Sequence, residues 1–199
     1  MPKIVNKEQK RKEIALKAYE FICTQGIKNF STDALIKYMN IGKSSLYNYF
    51  KSKDEILYEV QIISTDEYLK NIKNNLQDAN TLKEKLYIFF NFYLEESEKN
   101  RFEKEMVKEC IITTLENKTP CMVETTERFL NDSNSILFEI FNVEVKKGSI
   151  KKESLEMIEF LQMNIDGIFI YSYGLKDFDL NKKVQKYIDT FIDLIKIKD

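Results

Sequence analysis

One short stretch of the sequence groups polar side chains that can bind phosphates and base edges. Between residues 43 and 48 it carries an ammonium group, several hydroxyl groups and an amide, all of which are suited to contacting nucleic acid. Leu46 and Phe50 lie four residues apart, so on a helix they form one buried side and leave the polar groups outside. The alternative for Lys43 is a solvated surface charge. The polar residues are Lys43, Ser44, Ser45, Tyr47 and Asn48.

The residues before this stretch predict the other elements of a helix-turn-helix. Ser31 or Thr32 can cap a helix, and Gly26 follows a preceding helix at a position that favours glycine. Asn40 tolerates the left-handed backbone that a tight turn requires. Because two short helices joined by such a turn can present the second to a DNA major groove, the pattern indicates a DNA-binding module. The predicted helices are 7–25, 32–39 and 43–50.

The distribution of charge supports a phosphate-bearing partner at the N-terminal end. The whole chain has a formal net charge of −1, which alone argues against nucleic-acid binding. Residues 1–53, however, hold eleven Lys and Arg against four Asp and Glu, and residues 54–199 carry the compensating acidic excess. A basic module on an acidic body is expected when only one end binds nucleic acid. The alternative is a basic tail without a partner.

From Phe30 to Leu57 the sequence resembles the tetracycline-repressor (TetR) family of transcriptional regulators. The most specific part reads Ile-Gly-Lys-Ser-Ser-Leu-Tyr-Asn-Tyr-Phe-Lys-Ser-Lys-Asp-Glu-Ile-Leu and stands directly before a long predicted helix. The resemblance is close over the first 57 residues, and beyond them it extends to length and helix order. It implies DNA-binding roles for Ser31, Thr32, Lys43, Ser44, Ser45, Tyr47, Asn48, Tyr49 and Lys53.

The sequence departs from the family pattern around the turn. The family usually has glycine at the position of Asn40 and serine or threonine at that of Gly42. Small residues are usual where Ile36 and Met39 stand. We expect the turn to form but the recognition helix to lack its usual side-chain cap. For Tyr49 the alternative role is half-buried packing, because tyrosine often has an apolar body and a wet hydroxyl.

The remainder of the chain predicts helices and no strands. Ser52 and Glu55 have the spacing of a capping box at the start of a long helix. We therefore expect an all-α fold of about nine helices. Residues 1–53 would form a three-helix helix-turn-helix DNA-binding domain, and residues 54–199 a helical ligand-binding and dimerisation domain. The further predicted helices are 53–78, 80–100, 101–115, 121–145, 152–174 and 180–197.

The resemblance also implies a homodimer and an inducer. In the family the last two helices pair with their twin, so that two recognition helices reach successive major grooves of a palindromic operator in double-stranded DNA. The body encloses a pocket for a small-molecule inducer that releases the DNA, and the aromatic content here favours an apolar or aromatic inducer. Candidate lining residues are Phe89, Phe92, Tyr93, Met106, Cys110, Phe129, Asn164 and Phe169.

Two alternatives remain for these body residues. Any one of the candidate lining residues can instead be ordinary core packing. Asn164 and Asp166 are polar residues within an otherwise apolar predicted helix. Asp166 could instead face solvent or the dimer seam.

Other function classes find little support in the sequence. The chain has no histidine, no HExxH, no GxSxG and no phosphate-binding glycine motif, so we expect no enzyme, no metal and no cofactor. The cysteines form no CxxC pair and the N-terminus has no apolar segment, so we expect a cytoplasmic protein without membrane contact. Alternatives are an activator, a helical small-molecule carrier, or a redox-sensing regulator using Cys23, Cys110 and Cys121.

Overall fold

A computed structural model describes the backbone of residues 7–116 and 120–197, and the side chains in those ranges apart from 120–122. The described residues form helices joined by turns and loops and contain no strands, which confirms the all-α prediction. The described ranges contain α1 Lys7–Gln25, α2 Thr32–Met39, α3 Lys43–Tyr47, α4 Lys53–Asn75, α5 Leu82–Phe89, α6 Asn91–Leu94, α7 Glu98–Glu116, α8 Pro120–Lys146, α9 Ile158–Ser172 and α10 Leu180–Ile195. Short 3-10 helices cover Ile27–Asn29, Leu76–Asp78 and Lys152–Met157.

The prediction of one continuous helix over 80–100 is wrong. A capping box of Thr81 and Glu84 starts α5 as expected, but Phe90 leaves helical geometry with φ −98° and ψ 18°. The short α6 then ends before Glu95, which is extended. The Ser97 hydroxyl accepts a hydrogen bond from the Asn100 N–H at 3.2 Å and so caps the next helix. The helix predicted at 101–115 therefore begins earlier, at Glu98.

Two other predicted helices are shorter than expected. The third helix ends at Tyr47 rather than Phe50, because the Tyr49 N–H bonds to the Leu46 carbonyl and tightens the last turn. The helix predicted at 152–174 begins as a 3-10 helix and becomes α-helical only from Ile158. No helix in the described part of the chain is long and apolar enough to cross a membrane.

The described residues divide into two compact units. The N-terminal unit comprises residues up to 68 together with 96–127. Within it, α1 packs against α2 and α7, and α2 packs against α3. Leu46 and Phe50 are buried in its core, as predicted for the third helix, and Leu35 of α2 is buried beside them.

The backbone turns of the N-terminal unit agree with the sequence. Asn40 is left-handed with φ 53° and ψ 47°, as the turn between α2 and α3 requires. Gly26 has φ 81° and ψ 151°, a region that only glycine adopts readily. A Cβ on Gly26 would lie 3.2 Å from Phe102 Cε1, so the position favours glycine for space as well. Ser52 accepts from the Glu55 N–H at 3.2 Å, which confirms the predicted start of α4.

The C-terminal unit comprises residues 69–95 and 128–199. Its last helix, α10, packs against α5, α6 and α9. A buried Glu144 at the end of α8 pairs with Lys85 at 2.9 Å and Lys147 at 3.0 Å. It also accepts a hydrogen bond from Ser149 Oγ. These bonds join α8 to α5 and to the turn after α8. The domain boundary predicted between residues 53 and 54 stays a prediction.

Candidate functional site

The α3 helix presents polar side chains to solvent over an apolar anchor. Ser44 and Asn48 are exposed and Ser45 is half-buried. The Lys43 side chain is 67% exposed, and Tyr47 is 43% exposed. Leu46 on the same helix is fully buried. The polar groups predicted to contact DNA are therefore accessible; a sealed arrangement would have excluded that role.

The first turn of α3 lacks a side-chain cap, as expected from Gly42. This residue is the N-cap in an extended conformation and makes no side-chain hydrogen bond. The N–H groups of Ser45 and Leu46 bond back to its carbonyl at 3.0 and 3.3 Å. A helix of this length depends on tertiary anchoring, because isolated short helices are marginal in water. Leu46 and the preceding α2 supply that anchoring.

The two residues predicted at the start of α2 have different environments. The Ser31 hydroxyl accepts from the Ala34 N–H at 3.1 Å and caps the helix. Thr32 Oγ1 lies 3.5 Å from the Tyr47 hydroxyl. Ser31, Thr32 and Tyr47 thus lie at the N-terminus of α2 and on the neighbouring α3. Hydroxyl groups beside a helix N-terminus are well placed to contact an anion.

Lys43 has an acidic neighbour that the sequence reading did not consider. Its ammonium group is 3.4 Å from the Asp33 carboxylate, and both side chains are mostly exposed. An exposed pair at this distance contributes about 0–1 kcal/mol, so it does not hold Lys43 firmly. Asp33 nonetheless adds a negative charge beside the predicted DNA-binding groups.

Tyr49 and Lys53 lie where α3 meets α4. Tyr49 is half-buried and packs against the core, which is the alternative role considered for it. Its backbone carbonyl accepts a hydrogen bond from Arg11. Lys53 is exposed, and its ammonium group lies 5.7 Å from the centre of the Phe30 ring. Both predicted phosphate contacts remain predictions.

Arg11 is a positioning residue that the sequence reading missed. Its guanidinium lies 4.3 Å from the centre of the Phe50 ring and 2.7 Å from Glu59 on α4. It therefore connects α1, the residues after α3, and α4. A signal was present in the sequence, because Arg11 stands three residues before Ile14, on the apolar stripe of α1.

Five of the predicted ligand-binding residues are aromatic residues of the C-terminal unit, and three of these five pack together. Phe92 lies 5.0 Å from Tyr93 and 5.9 Å from Phe169, measured between ring centres. Tyr173, which the sequence reading did not single out, lies 5.3 Å from Phe169. We refer to Phe92, Tyr93, Phe169 and Tyr173 as the aromatic cluster. Phe89, three residues before Phe92, is buried, and its ring centre lies 4.8 Å from that of Phe90.

The other predicted ligand-binding residues differ from one another in burial and surroundings. Met106 and Cys110 are buried in the hydrophobic core of the N-terminal unit, together with residues of α1. Phe129 is half-buried on α8. Asn164 is exposed, and its amide donates to the Phe160 carbonyl at 2.7 Å. A ligand role for Met106, Cys110, Phe129 and Asn164 stays a prediction.

Asp166 is the polar residue of α9 that meets the aromatic cluster. Its carboxylate accepts a hydrogen bond from the Tyr93 hydroxyl. Burial raises the pKa of Asp166, and the hydrogen bond from Tyr93 opposes that effect. Asp166 is therefore tied to the aromatic cluster through Tyr93, and the alternative of a dimer seam stays a prediction. The signal in the sequence was an acid within an otherwise apolar helix.

The cysteines described here have the properties of structural thiols. Burial raises the pKa of Cys23 to about 11 and that of Cys110 to about 12. Both therefore remain protonated near neutral pH, whereas the thiolate is the reactive form. The prediction for Cys121 concerns a side chain outside the described residues. A redox-sensing role finds no support at Cys23 or Cys110.

A family model of the bacterial regulatory proteins of the tetR family matches residues 16–60. The match covers α2, α3 and the turn between them, together with parts of α1 and α4. It confirms the resemblance stated from the sequence of that segment. No curated protein matches the chain.

Solved structures of similar fold cover nearly the whole chain. A candidate transcriptional regulator from Saccharomonospora viridis in complex with choline has a TM-score of 0.78 at 16% identity, over 96% of this chain and 100% of its own. A TetR transcription regulator from Haloarcula marismortui has a TM-score of 0.76 at 12% identity, over 95% and 100%. A TetR-family regulator from Cytophaga hutchinsonii has a TM-score of 0.73 at 16% identity, over 99% and 100%. At these identities the likeness concerns the fold.

Proposed function

Because the N-terminal module of this chain belongs to the tetR family of bacterial regulatory proteins, we propose that the protein is a DNA-binding transcriptional regulator. It represses transcription by binding a palindromic operator as a homodimer, and a small-molecule inducer releases it. It acts in the cytoplasm, the compartment in which such a regulator meets chromosomal DNA, and we assign it no catalytic role.

The observation that carries the proposal is the exposed polar side of α3. Lys43, Ser44, Tyr47 and Asn48 are all exposed, while Leu46 anchors the helix from behind. Such side chains contact phosphate oxygens and base edges when a recognition helix enters the major groove. Arg11 supports the arrangement by joining α1 to the residues that follow α3 and to α4.

Charge supports the same conclusion. The first 53 residues carry a clear excess of Lys and Arg over Asp and Glu, although the whole chain is slightly acidic. Lysines near DNA displace condensed counterions, so binding is expected to weaken steeply as the salt concentration rises. The acidic remainder of the chain would repel DNA and leave the N-terminal module as the contact surface.

An exposed apolar stripe on α9 supports a homodimer through the last two helices. Phe160 is 62% exposed and Tyr171 is 68% exposed, and Met163 and Ile170 on the same side are also exposed. These residues, with Gly167, follow spacings of three and four and therefore form one face of the helix. Exposed apolar surface of this extent marks an interaction site. A second copy fits it best, because a two-fold dimer sets two recognition helices about 34–36 Å apart.

The C-terminal unit offers a site for the inducer in the aromatic cluster. Rings packed 5–6 Å apart around Phe169 provide the apolar surface that small-molecule sites use. A protein of similar fold has been solved in complex with choline, which supports a ligand role for this fold. Release of DNA requires that the inducer bind the DNA-incompetent arrangement more tightly than the competent one, since equal affinity shifts nothing.

Selection from a random-sequence duplex library tests the proposal without knowledge of the operator. We expect the purified full-length protein to enrich an inverted repeat whose half-sites lie about one helical turn apart, centre to centre. Enrichment of single half-sites would contradict the dimer. A failure to enrich or retain any duplex at low salt would contradict DNA binding and leave a helical small-molecule carrier as the function of the aromatic cluster.

A further inference from the structure

A carboxylate and aromatic rings lie together in the C-terminal unit. The Tyr93 hydroxyl donates a hydrogen bond to Asp166, and the Tyr93 and Phe169 ring centres are 5.7 Å apart. Phe92 and Tyr173 contact the same Phe169 ring. Phe92, Tyr93 and Asp166 are half-buried, so a small solute can reach them from solvent. We call this group the Tyr93–Asp166 site.

The Tyr93 side of this site is held in place by the neighbouring helix. Asn181 on α10 donates its amide to the carbonyl of Leu94, the residue after Tyr93. Gln185 in turn donates to the Asn181 side-chain oxygen at 2.6 Å. Because α6 has only one turn of its own, these bonds fix where the Tyr93 ring lies. The site is therefore preorganised by α10.

Asp166 lacks a cationic partner within the described residues. No lysine or arginine there forms an ion pair with it, and Tyr93 supplies its hydrogen bond. Glu144, a buried acid of the same unit, instead pairs with two lysines. A carboxylate removed from water is costly unless it is paired. An unpaired one among aromatic rings is expected where the cation arrives with a ligand.

A second acceptor lies one helical turn away. Gln162 is buried on α9, four residues before Asp166, so both side chains lie on the same side of the helix. Within the described part of the chain, its side-chain oxygen Oε1 has no hydrogen-bond partner. Buried acceptors are nearly always satisfied, so an unsatisfied one calls for an explanation. A ligand that carries N–H groups would satisfy it.

From this juxtaposition we propose that the Tyr93–Asp166 site binds a small organic ammonium ion, a protonated amine with an apolar or aromatic body. The charged nitrogen contacts the Asp166 carboxylate and donates to Gln162 Oε1. The aromatic cluster takes the apolar body, and its ring faces attract the cation. The inference rests on the proposed function, because it names the chemical class of the inducer. Neutral and anionic aromatic molecules bring no positive charge to the carboxylate.

A matched series of probes tests the charge requirement directly. Benzylammonium, benzyl alcohol and benzoate share one ring and differ in charge. Isothermal titration calorimetry of the full-length protein is expected to give at least about tenfold tighter binding for benzylammonium than for benzyl alcohol, because only the cation forms an ion pair with the carboxylate. Benzoate is expected to bind more weakly than either. Equal affinity for benzylammonium and benzyl alcohol would overturn the proposal.

Asp166→Asn is the decisive variant. It keeps the shape and an acceptor for the Tyr93 hydroxyl, and we expect it to weaken benzylammonium binding at least about tenfold. Asp177→Asn is the matched control, because Asp177 lies in an exposed turn with φ 57°, where asparagine is also tolerated. A folded Asp166→Asn protein with full affinity would overturn the proposal. If that variant fails to fold, the probe series on the wild type decides.

Duplex binding by the same proteins distinguishes a failure of the Tyr93–Asp166 site from a failure of the proposed DNA-binding function. If the wild type binds the enriched duplex but no ammonium probe, the Tyr93–Asp166 site is refuted and the proposed function stands. If it binds benzylammonium selectively but no duplex, DNA binding is refuted and the site stands. Benzylammonium is further expected to weaken duplex binding by the wild type and not by Asp166→Asn.

Discussion

Arg11 stacks on Phe50, with its guanidinium 4.3 Å from the centre of the ring, and the same group forms an ion pair with Glu59 at 2.7 Å. The contact joins the first helix to the residues that follow the recognition helix. A planar guanidinium can stack and bond at the same time, which an ammonium cannot do. Arg11 is therefore central to holding α3 where it can meet DNA.

Replacing Arg11 by alanine is expected to lower the free energy of unfolding by about 1–3 kcal/mol, since it removes the stacking and leaves Glu59 unpaired. Arg11→Lys is expected to recover less than half of that loss, because it restores charge without the planar fork. Chemical denaturation measures both. Lys12→Ala, at an exposed position of the same helix, is the control and is expected to change little. Equal stability of Arg11→Ala and Lys12→Ala would contradict the role.

The ion-paired Glu144 predicts a specific dependence of stability on pH. Burial acts to raise the pKa of Glu144, but hydrogen bonds from Lys85, Lys147 and Ser149 outweigh it and the pKa lies below its ordinary value. A lowered folded pKa contributes stability above the unfolded value, near 4.5, and that contribution is lost as the pH falls through the folded value. Stability should therefore fall in acid.

The corresponding variant is Glu144→Gln. At neutral pH we expect it to lower the free energy of unfolding by about 3 kcal/mol, because it leaves the largely buried Lys85 without a counter-charge. The difference from wild type should shrink below pH 4.5, and denaturation at several pH values measures it. Glu153→Gln, at an exposed position, is the control. A difference that stays constant down to strong acid would refute the assigned ion pair.

The apolar stripe on α9 predicts a dimer that one charge can break. Phe160→Glu places a carboxylate on the apolar face of α9, once in each protomer of the proposed two-fold interface. Analytical ultracentrifugation is expected to show a monomer for this variant and a dimer for the wild type. Leu115→Glu, at a position 81% exposed on α7, is the control for an apolar-to-acid change and should remain dimeric. A dimeric Phe160→Glu would argue for another interface.

Asp33 predicts a variant with stronger DNA binding. Its carboxylate lies 3.4 Å from Lys43, on the side that would meet phosphates. Asp33→Asn removes a repulsive charge and frees Lys43, so we expect the affinity for duplex DNA to rise a few-fold at low salt and less at high salt. Fluorescence anisotropy measures the affinity. Weaker binding by a folded Asp33→Asn protein would indicate that Asp33 itself contacts DNA.

Local signals in the sequence were sufficient for the N-terminal module and insufficient for the body. The bounds of α1 and α2 followed from periodicity and capping, and the left-handed Asn40 followed from turn chemistry. The break after Phe90 did not, because aromatic residues surround it on both sides and carry no helix-stop signal. Asn164 and Asp166 lie two residues apart on α9 and so point to different sides of the helix, but which of the two sides is buried depends on tertiary packing.

The role of Arg11 also could not be predicted from local sequence signals. Its contacts with Phe50 and Glu59 join positions far apart in sequence, and tertiary packing alone brings them together. The ligand-binding prediction mixed residues of two packing units for a similar reason. Met106 and Cys110 are apolar enough for a pocket, yet they belong to the core that supports α1. Composition cannot distinguish these uses of a buried side chain.

The most direct test of the account is the salt dependence of duplex binding by the wild type and by Lys43→Ala. We expect wild-type affinity to fall steeply between about 50 and 200 mM salt, and Lys43→Ala to bind more weakly with a log–log slope reduced by about one per protomer. Lys176→Ala, an exposed lysine of the C-terminal unit, should match the wild type. Unchanged affinity and slope for a folded Lys43→Ala protein would contradict DNA recognition by α3.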